Sequence, residues 1–126
     1  MAFDPGAIGR AFSEHRFDEA LGHLAENVRW TIVGYMVLEG ADAVRHTCRD
    51  TLESLEGTTT TYDRCVIAAG SDTVAVDTFA RYTRPDGTTA VASCDIYEFA
   101  DEKITAITSY AVEVDPEDAG SQPERT

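Results

Sequence analysis

The feature that most constrains this chain is its second half. Four β-rich segments, "TTTTYDRCVIAAG", "TVAVDTFARYT", "TTAVASCDIYEF" and "KITAITSYAVEV", follow one another with only "GSD", "RPDG" and "ADE" between them. Connections this short join antiparallel neighbours, so the four read as a meander. A sheet of this kind buries one face, and the material to cover it must come from the first half.

That half carries helical signals. In "FDPGAIGRAF", Asp4 can accept bonds from free backbone N–H groups, Pro5 suits the first helical position, and Phe3 can staple to Ile8. Phe17, Ala20, Leu21 and Leu24 recur at helical spacing and predict a second helix, followed by a first strand, "VRWTIV". After Gly40, the stripe Val44, Cys48, Leu52 and Leu55 predicts the longest helix, with Gly57 as its stop. The expected order is two helices, a strand, a helix and four strands: an α+β domain in which a curved antiparallel sheet packs one face on the helices.

Length fits one domain over residues 1–114 with space for a pocket, and residues 115–126, "DPEDAGSQPERT", are expected to be an acidic flexible tail. Ten Lys and Arg against 23 Asp and Glu give a net charge of −13, which repels nucleic acid and anionic membrane surfaces. Three cysteines with no CxxC pair argue against a disulfide framework or zinc site. His15, His23 and His46 match no metal motif and are expected at the surface or its boundary. "MAFDPGAIGR" has no basic segment and apolar run of a secretory signal, so a cytoplasmic protein is expected, with no metal and no cofactor.

One residue stands out in "CDIYEFADEKITAITSY": Asp95 lies within an otherwise apolar strand. If "RPDG" forms a turn with Gly87 as a left-handed bulge, Arg84 pairs with Thr88 and Asp77 faces Asp95, so that Asp77, Phe79, Arg81, Asp95, Tyr97 and Phe99 share one face. A two-residue turn would put Thr78 in place of Asp77. Two facing acids in a dry cavity cannot both ionise unless Arg81 neutralises them, and such a cluster has the makings of a base, a proton donor and an anion clamp. The competing reading makes Asp77, Arg81 and Asp95 a structural polar network, or leaves Asp77 and Arg81 on a solvated outer face.

"LAENVRW" leading to a strand, "LEGADAV" opening a helix and the closing "CDIYEFADEKITAITSY" resemble the nuclear transport factor 2-like superfamily, in its SnoaL-like and ketosteroid-isomerase-like branch. The resemblance covers roughly residues 5 to 114 and implies a cone, a bent sheet wrapped around helices with an apolar cavity at the open end, often dimeric through the outer sheet face. "DIYEF" matches the isomerase pattern "DVMRF", which implies that Asp95 faces the cavity, where a protonated aspartic acid can complete an oxyanion hole. The family's base falls on Thr31 or Ile32, its helix-1 tyrosine near Ile8, and the terminal-strand acid of cyclase and epoxide-hydrolase relatives on Val112, which argues against a steroid isomerase. The family turn "dGkI" appears as "DEKI", placing Glu102 where positive φ is usual.

The site expected from these readings has Asp95, Asp77 and Arg81 as catalytic groups, with Trp30, Thr31, Tyr35, Met36, Phe79, Ser93 and Tyr97 around a small apolar ligand. Tyr110 and Ile96 fall on the opposite strand face and suit a sheet-to-sheet homodimer. The expected function is binding of a small apolar molecule, with isomerase or cyclase proton transfer by Asp95. The alternatives are a non-catalytic carrier or sensor, or a protein-interaction module with a filled cavity.

Overall fold

A computed structural model describes residues 3–119 of the chain. Helix α1 (Pro5–Ser13) starts as the sequence predicts, with the Asp4 carboxylate accepting from the Ala7 N–H at 3.1 Å. Phe3 meets Phe99 edge-on, ring centroids 5.6 Å apart.

The predicted second helix does not form. Phe17–Glu19 and Leu21–His23 are two short 3-10 turns, and strand β1 (Leu24–Ile32) begins at the residue expected to end that helix. Phe17, Ala20 and Leu24 are buried all the same. Pairing of Leu24 with Ile104 on the last strand draws the chain into the sheet, a long-range contact that overrides local spacing. A further strand, β2 (Met36–Glu39), folds back on β1 through a turn containing Gly34 at φ 82°. It escapes sequence reading because it is four residues long, lies at the sheet edge and shows no burial alternation.

Helix α2 (Ala41–Ser54) buries Ala41, Val44 and Cys48, and strands β3 (Thr59–Ala69), β4 (Thr73–Arg84), β5 (Gly87–Ala100) and β6 (Lys103–Val114) follow as the expected meander. The result is one curved, unclosed six-stranded sheet in the order β2-β1-β6-β5-β4-β3, antiparallel except where β1 lies parallel to β6. The core fills its concave side: Ile8 and Phe12 of α1, Val44 and Cys48 of α2, and Val74, Val76, Tyr97, Phe99, Ile104 and Ile107 from the strands. Residues 115–119 include one helical turn, α3 (Pro116–Ala119), tied back by Arg81, which donates to the Pro116 carbonyl at 3.0 Å. The rest of the expected flexible tail lies outside the described residues.

Register decides what the cavity contains. Arg84 pairs with Gly87 around a two-residue Pro85–Asp86 turn, so Asp95 faces Val76, not the Thr78 expected for such a turn, and Asp77 faces Cys94, while Thr78 faces Ser93. This one-residue difference from the bulged register sends Asp77, Phe79 and Arg81 to the outer face and brings Thr78 and Tyr82 inside. On β3 a bulge at Asp63 makes a second change of face: Tyr62 opposes Ala80 inside, while Asp63 and Arg64 both point outward.

The β5–β6 turn places Asp101 at φ 52° and Glu102 at φ 63°, the left-handed region where a side chain costs about 1 kcal/mol. Glu102→Gly is expected to raise stability by roughly 0.5–1 kcal/mol in urea denaturation; a loss of stability would contradict the strain.

Candidate active site

The end of α1, helix α2 and the concave faces of β1, β3, β4, β5 and β6 line a half-open cavity of about 290 Å³. Its apolar wall comes from Phe12, Phe17, Trp30, Ile32, Val91 and Ala111. Phe12 organises this wall, meeting Phe17 and Trp30 edge-on with centroids 5.1 Å apart and Tyr97 at 5.7 Å.

Asp95 is the sole carboxyl among the lining residues. It keeps an edge toward the cavity while protein atoms crowd it elsewhere. Ser13 Oγ donates to Asp95 Oδ2 at 2.7 Å and lies 2.6 Å from Tyr97 Oη. Ser13 has a single hydrogen, so when it donates to Asp95 the tyrosine donates to it. Ser109, the cross-strand partner of Asp95, accepts from Trp30 Nε1 at 2.9 Å. Burial drives the Asp95 carboxyl above the ordinary aspartate range, and hydrogen bonds to Ser109 and Ser13, with His15 nearby, offset only part of this.

His15 is the main surprise. Expected at the surface or its boundary, it is half-buried and lines the cavity just past α1, at φ 64°, with Nε2 3.2 Å from the Tyr82 hydroxyl. Burial lowers the imidazole pKa, and the Asp95 charge works against that shift. Desolvation, reinforced by Asp95, raises the Tyr82 phenol.

Of the ligand contacts read from sequence, Trp30, Tyr35 and Ser93 line the cavity, with Tyr35 at the rim and 83% exposed. Tyr97 stands behind the lining, fully buried, and reaches Asp95 through Ser13. Thr31 and Met36 are absent from the lining: alternation along β1 turns Thr31 to the convex face, whereas Ile32 lies within, and Met36 on edge strand β2 is 49% exposed. Phe79 is also misplaced by the sequence reading, since it packs with Ala90, Ala92 and Val114 in a small outer cluster.

The expected acid–acid–arginine cluster does not assemble. Asp77 accepts from Arg64 at 2.9 Å and Arg81 donates to Asp63 at 2.7 Å, both on the outer face, where such pairs contribute little. Sequence reasoning missed Ser13 and His15 as site residues. The first was discoverable, because Ser13 lies four residues beyond Gly9, on the side of α1 that approaches Tyr97.

A curved sheet covered by helices, with a cavity on its concave side and one acid in the cavity wall, defines the class as α+β. The SnoaL-like domain model matches residues 7–107, and the chain belongs to that family. Among solved structures it is similar to a nuclear transport factor 2-like protein of unknown function from Cytophaga hutchinsonii, at 27% identity and a TM-score of 0.74, covering 84% of this chain and 94% of that one. It shares its fold with an epoxide hydrolase of the LEH-like type from M. tuberculosis (20% identity, TM-score 0.56, 82% and 75% covered). The same holds for a candidate polyketide cyclase from Xanthomonas campestris (18% identity, TM-score 0.65, 92% and 90% covered). No significant match is found among curated proteins.

Proposed function

We propose that this SnoaL-like domain binds a small, largely apolar molecule in its cavity and moves a proton on it with Asp95, the chemistry of an isomerase or cyclase. The observation that carries the reading is a carboxyl held by hydroxyls in an apolar wall, where burial disfavours its charge. A carboxylate in that state is a stronger base than one in water. It takes a proton from carbon beside a ligand carbonyl, leaving the enolate, and the resulting acid returns that proton to another carbon. Ser13 holds its orientation throughout.

The test uses 2-tetralone, a bicyclic ketone, in D2O. Wild-type protein is expected to exchange its α-hydrogens faster than buffer, followed by proton NMR; binding without faster exchange rejects the chemistry. That outcome favours the second reading, a non-catalytic carrier. The carrier reading draws support from the cavity's lack of a second carboxyl: the family's base position falls on Thr31 or Ile32, and its terminal acid position on Val112.

We also propose that two copies pair through their convex sheet faces. Tyr110 and Val112 are 49% and 62% exposed there, beside the half-buried Ile96, apolar side chains that a second copy would cover. Analytical ultracentrifugation is expected to give twice the chain mass, and Tyr110→Glu to return it to one. A wild-type monomer at tens of micromolar protein overturns the pairing. The three free thiols fit a reducing compartment, the cytoplasm.

A further inference from the structure

The hydroxyls on the concave side differ in what they serve. Those of Ser13 and Tyr97 are linked to Asp95, and Ser109 accepts from the Trp30 indole. Thr78 and Ser93 stand apart: they are cross-strand partners on β4 and β5, and their Oγ atoms lie 2.9 Å apart. Two hydroxyls carry two hydrogens, and the bond between them uses one. Neither side chain makes a further hydrogen bond among the described residues, so the second hydrogen has no protein acceptor there. Both residues line the cavity, but Thr78 is 2% exposed whereas Ser93 is half-buried. With Thr78 donating to Ser93, the Ser93 hydroxyl is left to donate to whatever fills the cavity.

Its position relative to Asp95 is set by the strand. Ser93 precedes Asp95 by two residues, so alternation along β5 turns both to the concave side, about 7 Å apart. A hydrogen bond and a proton-transfer contact, each of about 3 Å, fit that span when they reach adjacent carbons of one ligand. No lysine or arginine is among the described lining residues, so charge developing on a ligand oxygen has to be met by neutral donors.

We propose that Ser93, backed by Thr78, is a catalytic residue that donates to the ligand's carbonyl oxygen while Asp95 takes the hydrogen from the neighbouring carbon. In that step the C–H bond breaks and an O–H bond forms on Asp95. The C–H electron pair becomes the new C=C bond, and the carbonyl π pair moves onto oxygen. A hydrogen bond to the resulting charged oxygen is stronger than one to the ketone, so Ser93 favours the enolate over the ground state. The ligand class is a small ketone with hydrogen on the carbon beside its carbonyl. The inference rests on proton transfer by Asp95 and adds the group that receives the charge.

The experiment follows exchange of 2-tetralone in D2O by the double variant Thr78→Val/Ser93→Ala. Both hydroxyls are removed together because either one alone would keep a hydrogen to donate, and replacing both partners of a buried bond by apolar groups costs a fold little. The exchange kcat is expected to fall about thirtyfold or more, with KM within about threefold of wild type. 2-Methylnaphthalene, which has no oxygen, is expected to bind within about twofold of wild type by calorimetry. Ser93→Ala alone is expected to lower kcat about tenfold, and its absence of effect would overturn the assignment to Ser93. An unchanged kcat in the double variant overturns the inference, as does a fall matched by an equal loss of 2-methylnaphthalene affinity, which marks a pair that only shapes the wall. Exchange by wild type no faster than buffer removes the Asp95 reading itself, and this inference with it.

Discussion

Asp95→Asn is expected to slow α-hydrogen exchange by about a hundredfold or more, the range over which a positioned acid or base acts. The substitution keeps the outline of the side chain and an oxygen for the Ser13 hydroxyl, now 2.7 Å from Oδ2, but removes the group that takes up the proton. Exchange at the wild-type rate in this variant would mean that the carboxyl takes no part.

The same substitution carries an opposite expectation for stability. Burial raises the folded-state pKa of Asp95 above its ordinary value, so the folded protein holds this proton more tightly than the unfolded chain does. The stability this contributes is fully present below the ordinary aspartate pKa and is lost as pH rises through the raised one. Above that point an ionised carboxylate sits in an apolar wall, whereas asparagine carries no charge. The variant's stability relative to wild type is therefore expected to climb from pH 3.5 to pH 7.5 in urea denaturation. A difference independent of pH would mean that Asp95 ionises in the folded protein as easily as in water. Lower activity with higher stability at neutral pH is the signature of a functional group kept at structural cost.

How much of this was legible in the sequence depends on the range of the deciding interaction. The meander was readable because each strand is marked by its own alternation and bounded by turn residues, and the inward side of Asp95 followed from its apolar neighbours and from the family pattern. The placement of Asp77, Phe79 and Arg81 was not, because it depends on one residue of loop length at Pro85–Asp86, to which local composition is indifferent. Tyr62 enters the cavity because a bulge at Asp63 changes the phase of β3, and nothing in the composition of "TYDRC" marks a bulge. His15 was read by its distance from other possible metal ligands, when its position just past the end of α1 was the informative fact. The predicted helix over Phe17–Leu24 failed for a related reason: its apolar spacing was real, and Phe17, Ala20 and Leu24 are buried, but the last strand claims Leu24.

The largest stability effect is expected at Tyr97, where the fold and the site share a side chain. Its ring is wholly buried, and α1 rests on it so closely that a Cβ built on Gly9 would lie 3.0 Å from Cδ2. Truncation in Tyr97→Ala removes the surface on which Phe12 and Gly9 pack and is expected to destabilise the domain by about 3–5 kcal/mol, read from the urea midpoint at unchanged slope. Tyr97→Phe keeps the ring and loses one hydrogen bond to Ser13, an expected loss of about 1 kcal/mol. A loss below about 1 kcal/mol in the alanine variant would show that α1 does not depend on this ring. The pair also separates the two roles, because Ser13 reaches Asp95 only while α1 stays seated. The phenylalanine variant should leave the Ser13–Asp95 contact in place and retain proton exchange, whereas the alanine variant should lose exchange even under conditions where it remains folded.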